Sequence, residues 1–214
     1  MQFDLILRQA QLGGPDGSLL DIAVRDGRVA AIGPTLPADG PEEQVSGRLV
    51  LPGLVETHIH LDKSCLLGRC VCQKGTLDEA VGLVAAAKRD FTDEDVYARA
   101  SRTLERALLH GTMRMRTHVE VDPRIGLTSL RALLRLKREY AWAIDIEICV
   151  FPQEGLLDDP GCEDVLIAAL QEGADVVGGA PYMDRDSHGQ IARIFALAQR
   201  FGVDIDFHLD FGLD

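Results

Sequence analysis

Three segments of this chain share a period of two, and the intervals around them are helical; no other feature limits the possible folds so strongly. In 144–153 the even positions Ile144, Ile146, Ile148 and Val150 are apolar, while Asp145, Glu147, Cys149, Phe151 and Gln153 fill the odd column. In 203–210 the odd positions Val203, Ile205, Phe207 and Leu209 are apolar, and Asp204, Asp206, His208 and Asp210 share the even column. The run "MRMRTHVEV" places Arg114, Arg116, His118 and Glu120 on one face in the same way. Period two is the signature of a strand with one greasy and one polar face. The intervening stretches "TLDEAVGLVAAAKRDF", "TDEDVYARASRTLERALLHG", "LTSLRALLRLKREY", "CEDVLIAALQEG" and "GQIARIFALAQRFG" read as helices. Thr92 with Asp95 has the spacing of a capping box, and Gly111 that of a C-terminal stop.

Helical crossovers make neighbouring strands parallel, and tight antiparallel hairpins are ruled out by those intervals. A flat doubly wound sheet would be apolar on both faces. In a closed (β/α) barrel the greasy face meets the helices and the polar face points inward, with the site at the C-terminal ends of the strands. The alternation therefore points to an α/β fold of the (β/α)8 TIM-barrel type. Only about five of eight strands are counted, the first being "LVLPGLVETHIH" and the fourth "ADVVGGAP", so the barrel is expected to be incomplete. Residues 48–214 are assigned to it.

Residues 1–47 follow a different grammar. Short apolar runs are separated by turn signals, and Asp26-Gly27 between "IAVR" and "RVAAI" is a two-residue hairpin signal. A small antiparallel β module is expected here, followed by a polar, Pro-rich link, "PTLPADGPEEQ".

The chemistry concentrates in "ETHIHLDK". On a strand, His58 and His60 point to the same side, about 6.6 Å apart along the chain. Two imidazoles so placed can converge on one cation, and two solvent-facing strand histidines would have the same spacing. His208 sits at the C-terminal end of the last strand, on its polar column and in the same layer. Three histidines at strand ends, with a coordination position left for water, describe a catalytic metal site rather than a closed structural one. Asp62 continues the His58/His60 column and is expected to orient a ligand or meet the substrate, and His118 is either a further substrate contact or, the default for a strand histidine, a hydrogen-bonded structural residue. Arg114 and Arg116 are expected to face Glu120, Asp145 and Glu147 as an ionic lining, and Asp184 and Asp186 to be solvated loop carboxylates.

The chain carries 22 Lys and Arg against 34 Asp and Glu, a formal charge of −12 in 214 residues. That balance opposes nucleic acid and anionic membrane surfaces and favours a small-molecule substrate. Neither a signal peptide nor a spanning segment is recognisable, so a cytoplasmic location is expected. Five cysteines form no C-x-x-C pair and are expected to be reduced thiols.

"LVLPGLVETHIHLDK" resembles the first barrel strand of the amidohydrolase superfamily, and "RTHVEVDP", "VFPQEG" and "DIDFHLD" are similar to its cytosine deaminase-like branch. The resemblance runs in order over nearly the whole chain. It implies an N-terminal β-sandwich portion beside the barrel, and His58, His60 and His208 as metal ligands. It also implies that Gln153 holds the substrate ring, and that dimers or higher assemblies form. Binuclear members carry a lysine on strand 4; "ADVVGGAPYMD" has none, which implies one divalent ion, Zn²⁺ or Fe²⁺. The implied reaction is hydrolysis of a non-peptide C–N bond in a small cyclic nitrogen compound by a metal-activated water.

Two departures accompany the resemblance. Family deaminases place a proton-transferring glutamate three residues after the strand-5 histidine, where this chain has Phe211; Asp210, on the column of His208, is the expected substitute. The family also draws a histidine from strand 6 and an aspartate from strand 8, neither of which falls within these 214 residues, so the chain is expected to be the front part of a longer enzyme. The alternative expectation is a non-catalytic barrel fragment that binds a ligand or is completed by a partner chain.

Overall fold

The Asp26-Gly27 turn forms as its residue types demand, with φ of 51° and 68° at the two corners. Those left-handed angles match the twist of the strands they join. The computed structural model of the protein describes residues 2–14 and 17–209, in two compact units, Met1–Pro52 and Gly53–Asp214. In the first unit, strands β1 (Leu5–Gln11), β2 (Leu19–Arg25), β3 (Arg28–Gly33) and β4 (Glu42–Gln44) form one sheet in the order β3-β2-β1-β4. The described residues of this unit form one sheet, where the resemblance implies a β-sandwich portion. The sheet is mixed rather than wholly antiparallel, because β4, from the segment read as a link, pairs parallel to β1. The cause is Arg8, whose buried guanidinium donates to Asp21 at 2.5 Å and to Glu42 at 2.6 Å, drawing the link alongside β1.

In the second unit five parallel strands, β5 (Leu54–Ile59), β6 (Thr112–Glu120), β7 (Asp145–Phe151), β8 (Val176–Gly179) and β9 (Asp204–Phe207), lie in sequence order. Helices α1 (Leu77–Ala87), α2 (Asp93–Leu109), α3 (Thr128–Glu139), α4 (Cys162–Gln171) and α5 (Ser187–Phe201) alternate with them, α1 and α2 both falling between β5 and β6. One core holds Met115, Val119, Ile146, Ile148, Val150 and Val177 from the strands with Leu104, Leu133, Leu166 and Ile194 from the helices. The opposite columns carry the polar residues, so the two faces of the sheet are those read from the alternation.

The sheet is strongly curled. β5 and β9 are four strand spacings apart, about 19 Å in a flat sheet. Their histidines His58 and His208 nevertheless have ring centroids 4.7 Å apart. This is a half-barrel with helices outside and polar side chains within.

Some local details differ from expectation. Thr92 caps α2 by accepting from Asp95 N–H at 3.2 Å, but Asp95 does not reach back; its carboxylate is taken by Arg69 and Arg99. All five cysteines are free. No helix among the described residues is long and apolar enough to cross a membrane.

Gly178 on β8 marks where the curl is tightest for side chains. A Cβ there would stand 2.6 Å from the Asp206 carbonyl oxygen, 2.9 Å from Cys149 Sγ and 3.0 Å from Phe151 Cβ. Two of these atoms belong to strand backbone or its first side-chain carbon and yield little. Gly178→Ala is therefore expected to lower stability by about 1–3 kcal/mol, read as a shift in the denaturant midpoint. An unchanged midpoint would show that β8 and β9 can separate at no cost.

Candidate metal centre

The inner columns of β5, β6 and β9 carry four histidines into one cluster. His60 Nε2 lies 3.3 Å from His58 Nε2 and 3.2 Å from His208 Nε2. A neutral imidazole has one N–H to offer, so three ring nitrogens aimed at one point bring lone pairs together. A cation at that point removes the conflict. Ion–nitrogen bonds of about 2.0–2.1 Å at tetrahedral angles set ligand nitrogens about 3.3–3.4 Å apart, the spacing found here. The donor set thus fits a divalent ion, and imidazole suits zinc and iron alike.

Protonation favours the same reading. Burial pushes the His60 imidazole far below its usual range, with the Lys63 ammonium acting in the same sense. Burial, followed by the other histidines, lowers His208 to about 4. Both rings are neutral at pH 7, the form that binds metal. His60 Nδ1 is buried without a hydrogen-bond partner. Phe151 at the end of β7 stacks on His208 with centroids 4.4 Å apart, and Lys63 Nζ stands 5.3 Å from the centroid of the Phe151 ring.

The remaining residues singled out from sequence are placed as follows. His118 is fully buried, and its ring stacks on His58 with centroids 4.0 Å apart and planes 21° apart. Asp62 is buried in the short 3-10 turn Leu61–Lys63, where Oδ2 accepts from Glu120 N–H at 3.0 Å. Its pKa is raised to about 6 by burial. Gln153 follows β7, and its Nε2 donates to Tyr182 Oη at 3.0 Å. Asp210 and Phe211 lie outside the described residues.

Other groups were not legible beforehand. Arg116 binds Glu147 at 2.6 Å, as its column suggests, but also Asp206 at 2.8 Å across the inner face. Glu120 turns instead to Lys63 at 2.6 Å and Lys88 at 3.1 Å. Lys88, from the 3-10 turn after α1, is buried among Glu120, Asp122 and Glu154. Those three carboxylates could otherwise gather a cation, and the ammonium takes that place. Asp184 is buried rather than solvated, accepting from the backbone N–H groups of Leu156, Leu157 and Asp158. It ties the turn carrying Tyr182 to the loop carrying Gln153, while Asp186 caps α5 through Gly189 N–H.

The model of the amidohydrolase family matches residues 49–213. N-isopropylammelide isopropyl amidohydrolase of Pseudomonas sp. (strain ADP) is 32% identical over 215 residues, covering 97% of this chain and 53% of that protein. Among solved structures, 5-methylcytosine deaminase from Klebsiella pneumoniae liganded with 5-fluorocytosine superposes with a TM-score of 0.89 at 33% identity, covering 98% of this chain and 52% of that one. N-isopropylammelide isopropylaminohydrolase from Burkholderia multivorans ATCC 17616 gives a TM-score of 0.85 at 34% identity, covering 98% and 53%. The chain spans about half the length of the relatives it matches.

The buried neutral imidazoles fix the sign of a pH dependence in the metal-free protein. An unfolded histidine takes up a proton near 6.5, whereas His208 resists until about 4. The stability it contributes is complete above pH 6.5 and lost as the pH falls toward 4. Asp62, raised to about 6, acts oppositely, with one group against the three histidines His60, His118 and His208. Stability should therefore fall from pH 6.5 to 4, and His208→Gln should flatten the slope by up to about 1.4 kcal/mol per pH unit. Denaturation at stepped pH in chelator measures this; an unaltered slope in the variant would contradict it.

Proposed function

This chain belongs to the amidohydrolase family, and from that premise we propose that the protein is a metal-dependent hydrolase of non-peptide C–N bonds in a small cyclic nitrogen compound. The observation that carries the proposal is the convergence of three imidazoles, His60 Nε2 lying 3.3 Å from His58 Nε2 and 3.2 Å from His208 Nε2. These imidazoles would hold one divalent ion, Zn²⁺ or Fe²⁺. When bound, such an ion acts as a Lewis acid and lowers the pKa of a coordinated water from 15.7 to about 7.

The rest of the work falls to side chains. Gln153 stands at the C-terminal end of β7, where barrel sites form. With Nε2 given to Tyr182, its carboxamide oxygen is left to accept from an N–H on the ring of a substrate. Asp184 keeps both partners in place by holding their two loops together. Phe151 supplies an apolar wall beside His208. Departure of the amine calls for a proton, and Asp210, two residues after His208, is the group we assign to deliver it. Cytosine-like and N-isopropylammelide-like rings are the substrate classes to test, after the relatives named above.

A second reading, a ligand-binding barrel without turnover, is favoured by Phe211 standing where the resemblance calls for a glutamate. The full-length protein loaded with Zn²⁺ or Fe²⁺ should release ammonia or alkylamine from one of these rings, and His60→Ala should lower the rate at least about 10³-fold, on the scale of losing a catalytic group. Tyr182→Phe should raise KM more than it lowers kcat, because it frees the amide to turn. Saturable ring binding with no amine release would decide for the second reading.

A further inference from the structure

We propose that His118 is a positioning residue for the metal centre: its ring, held by an Asp206–Arg116–Glu147 ion-pair ladder, fixes the plane of His58 by stacking. The inference rests on the reading of His58, His60 and His208 as ligands.

A ligating histidine ordinarily has its second ring nitrogen fixed by a carboxylate, carbonyl or water, which sets the direction of the first. Among the described residues, His58 Nδ1 has no such partner. It is on the exposed side of the cluster, and the contact that defines its ring plane is the face of His118, 4.0 Å away at 21°. His118 is able to serve because it cannot turn. It is completely buried, packs edge-on against His208 at 5.0 Å, and lies 5.5 Å from His60, touching all three proposed ligands.

What orients His118 comes from the far side of the curl. Asp206 Oδ2 stands 3.3 Å from His118 Nε2, a charge contact without hydrogen-bond alignment, and the same oxygen accepts from Arg116 Nη1 at 2.8 Å. Arg116 Nε in turn donates to Glu147 at 2.6 Å. Three strands, β6, β7 and β9, are thereby joined across the inner face, one layer below the ring nitrogens. Asp206 is two residues before His208 on the same strand, so the ladder that sets His118 also sets the strand bringing the third ligand. His118 and Asp206 would form a cation-binding set with His58, but the Arg116 guanidinium on Asp206 occupies that carboxylate. Positioning is the role left to the pair.

The test is Co²⁺ uptake by the full-length protein, followed by titration and by the visible absorption of the bound ion. His118→Ala is expected to bind one Co²⁺ about 10–100-fold more weakly than wild type, with a shifted band and faster loss to chelator, while the metal-free melting temperature reports folding separately. His118→Phe keeps a flat ring and should fall between the two. Asp206→Asn, in which the ring remains but its anchor is weakened, should shift the band in the same direction and serves if His118→Ala does not fold. Wild-type affinity and spectrum in His118→Phe and in Asp206→Asn, or in His118→Ala, would overturn the inference. So would complete loss of the ion in His118→Ala, matching His58→Ala, since that would make His118 a ligand. No Co²⁺ uptake by the wild type would remove the metal reading itself, and this inference with it.

Discussion

The curl of the five-stranded sheet is the constraint on which everything else depends. In a flat sheet β5 and β9 would be separated by about 19 Å, and neither His58 nor His60 could meet His208. Curling requires the inner face to be narrow, and the side chains there comply. Gly178 leaves room for Cys149 and Phe151, and Arg116 reaches from β6 to Asp206 on β9. The apolar columns on the outer face supply the driving force, since Met115, Val119, Ile148, Val150 and Val177 are fully covered by the helices. Burial outside and charge pairing inside thus bend the sheet the same way.

Within the curl, charge is sorted into two environments. His60 and His208 are neutral, with the cationic form opposed first by desolvation. Close by, Glu120, Asp122 and Glu154 surround the Lys88 ammonium, with Lys63 on the other oxygen of Glu120. Burial opposes the charge on Glu120, but Lys63 and Lys88 outweigh it and hold this carboxyl below the usual range. A buried carboxylate cluster of this kind tolerates desolvation only while each charge is matched. The Lys88 ammonium supplies that match for Glu120, Asp122 and Glu154 together.

Much of this was legible in the residues. Period two gave the strands and their faces, and the placement of His58, His60 and His208 in one layer followed from strand ends alone. What could not be read were partnerships set by the curl. Arg116 and Asp206 are ninety residues apart in sequence, and no local pattern selects that pair over Arg114 or Asp204. Nothing in the local sequence marks Lys88, and Asp184 reads as a solvated loop residue, because burial of a charge depends on distant loops closing over it. The strand Glu42–Gln44 was hidden in a polar link for a similar reason: Arg8, not propensity, recruits it. Asp210, the proposed proton donor, lies outside the described residues.

The central claim is that three imidazoles from opposite edges of the curled sheet hold one divalent ion. Its most direct test is a crystal of the full-length, metal-loaded protein, with diffraction collected on either side of the absorption edge of the ion. The account predicts one anomalous peak about 2.0–2.2 Å from the Nε2 atoms of His58, His60 and His208. A peak on Glu120, Asp122 and Glu154, or none near the histidines, would contradict it.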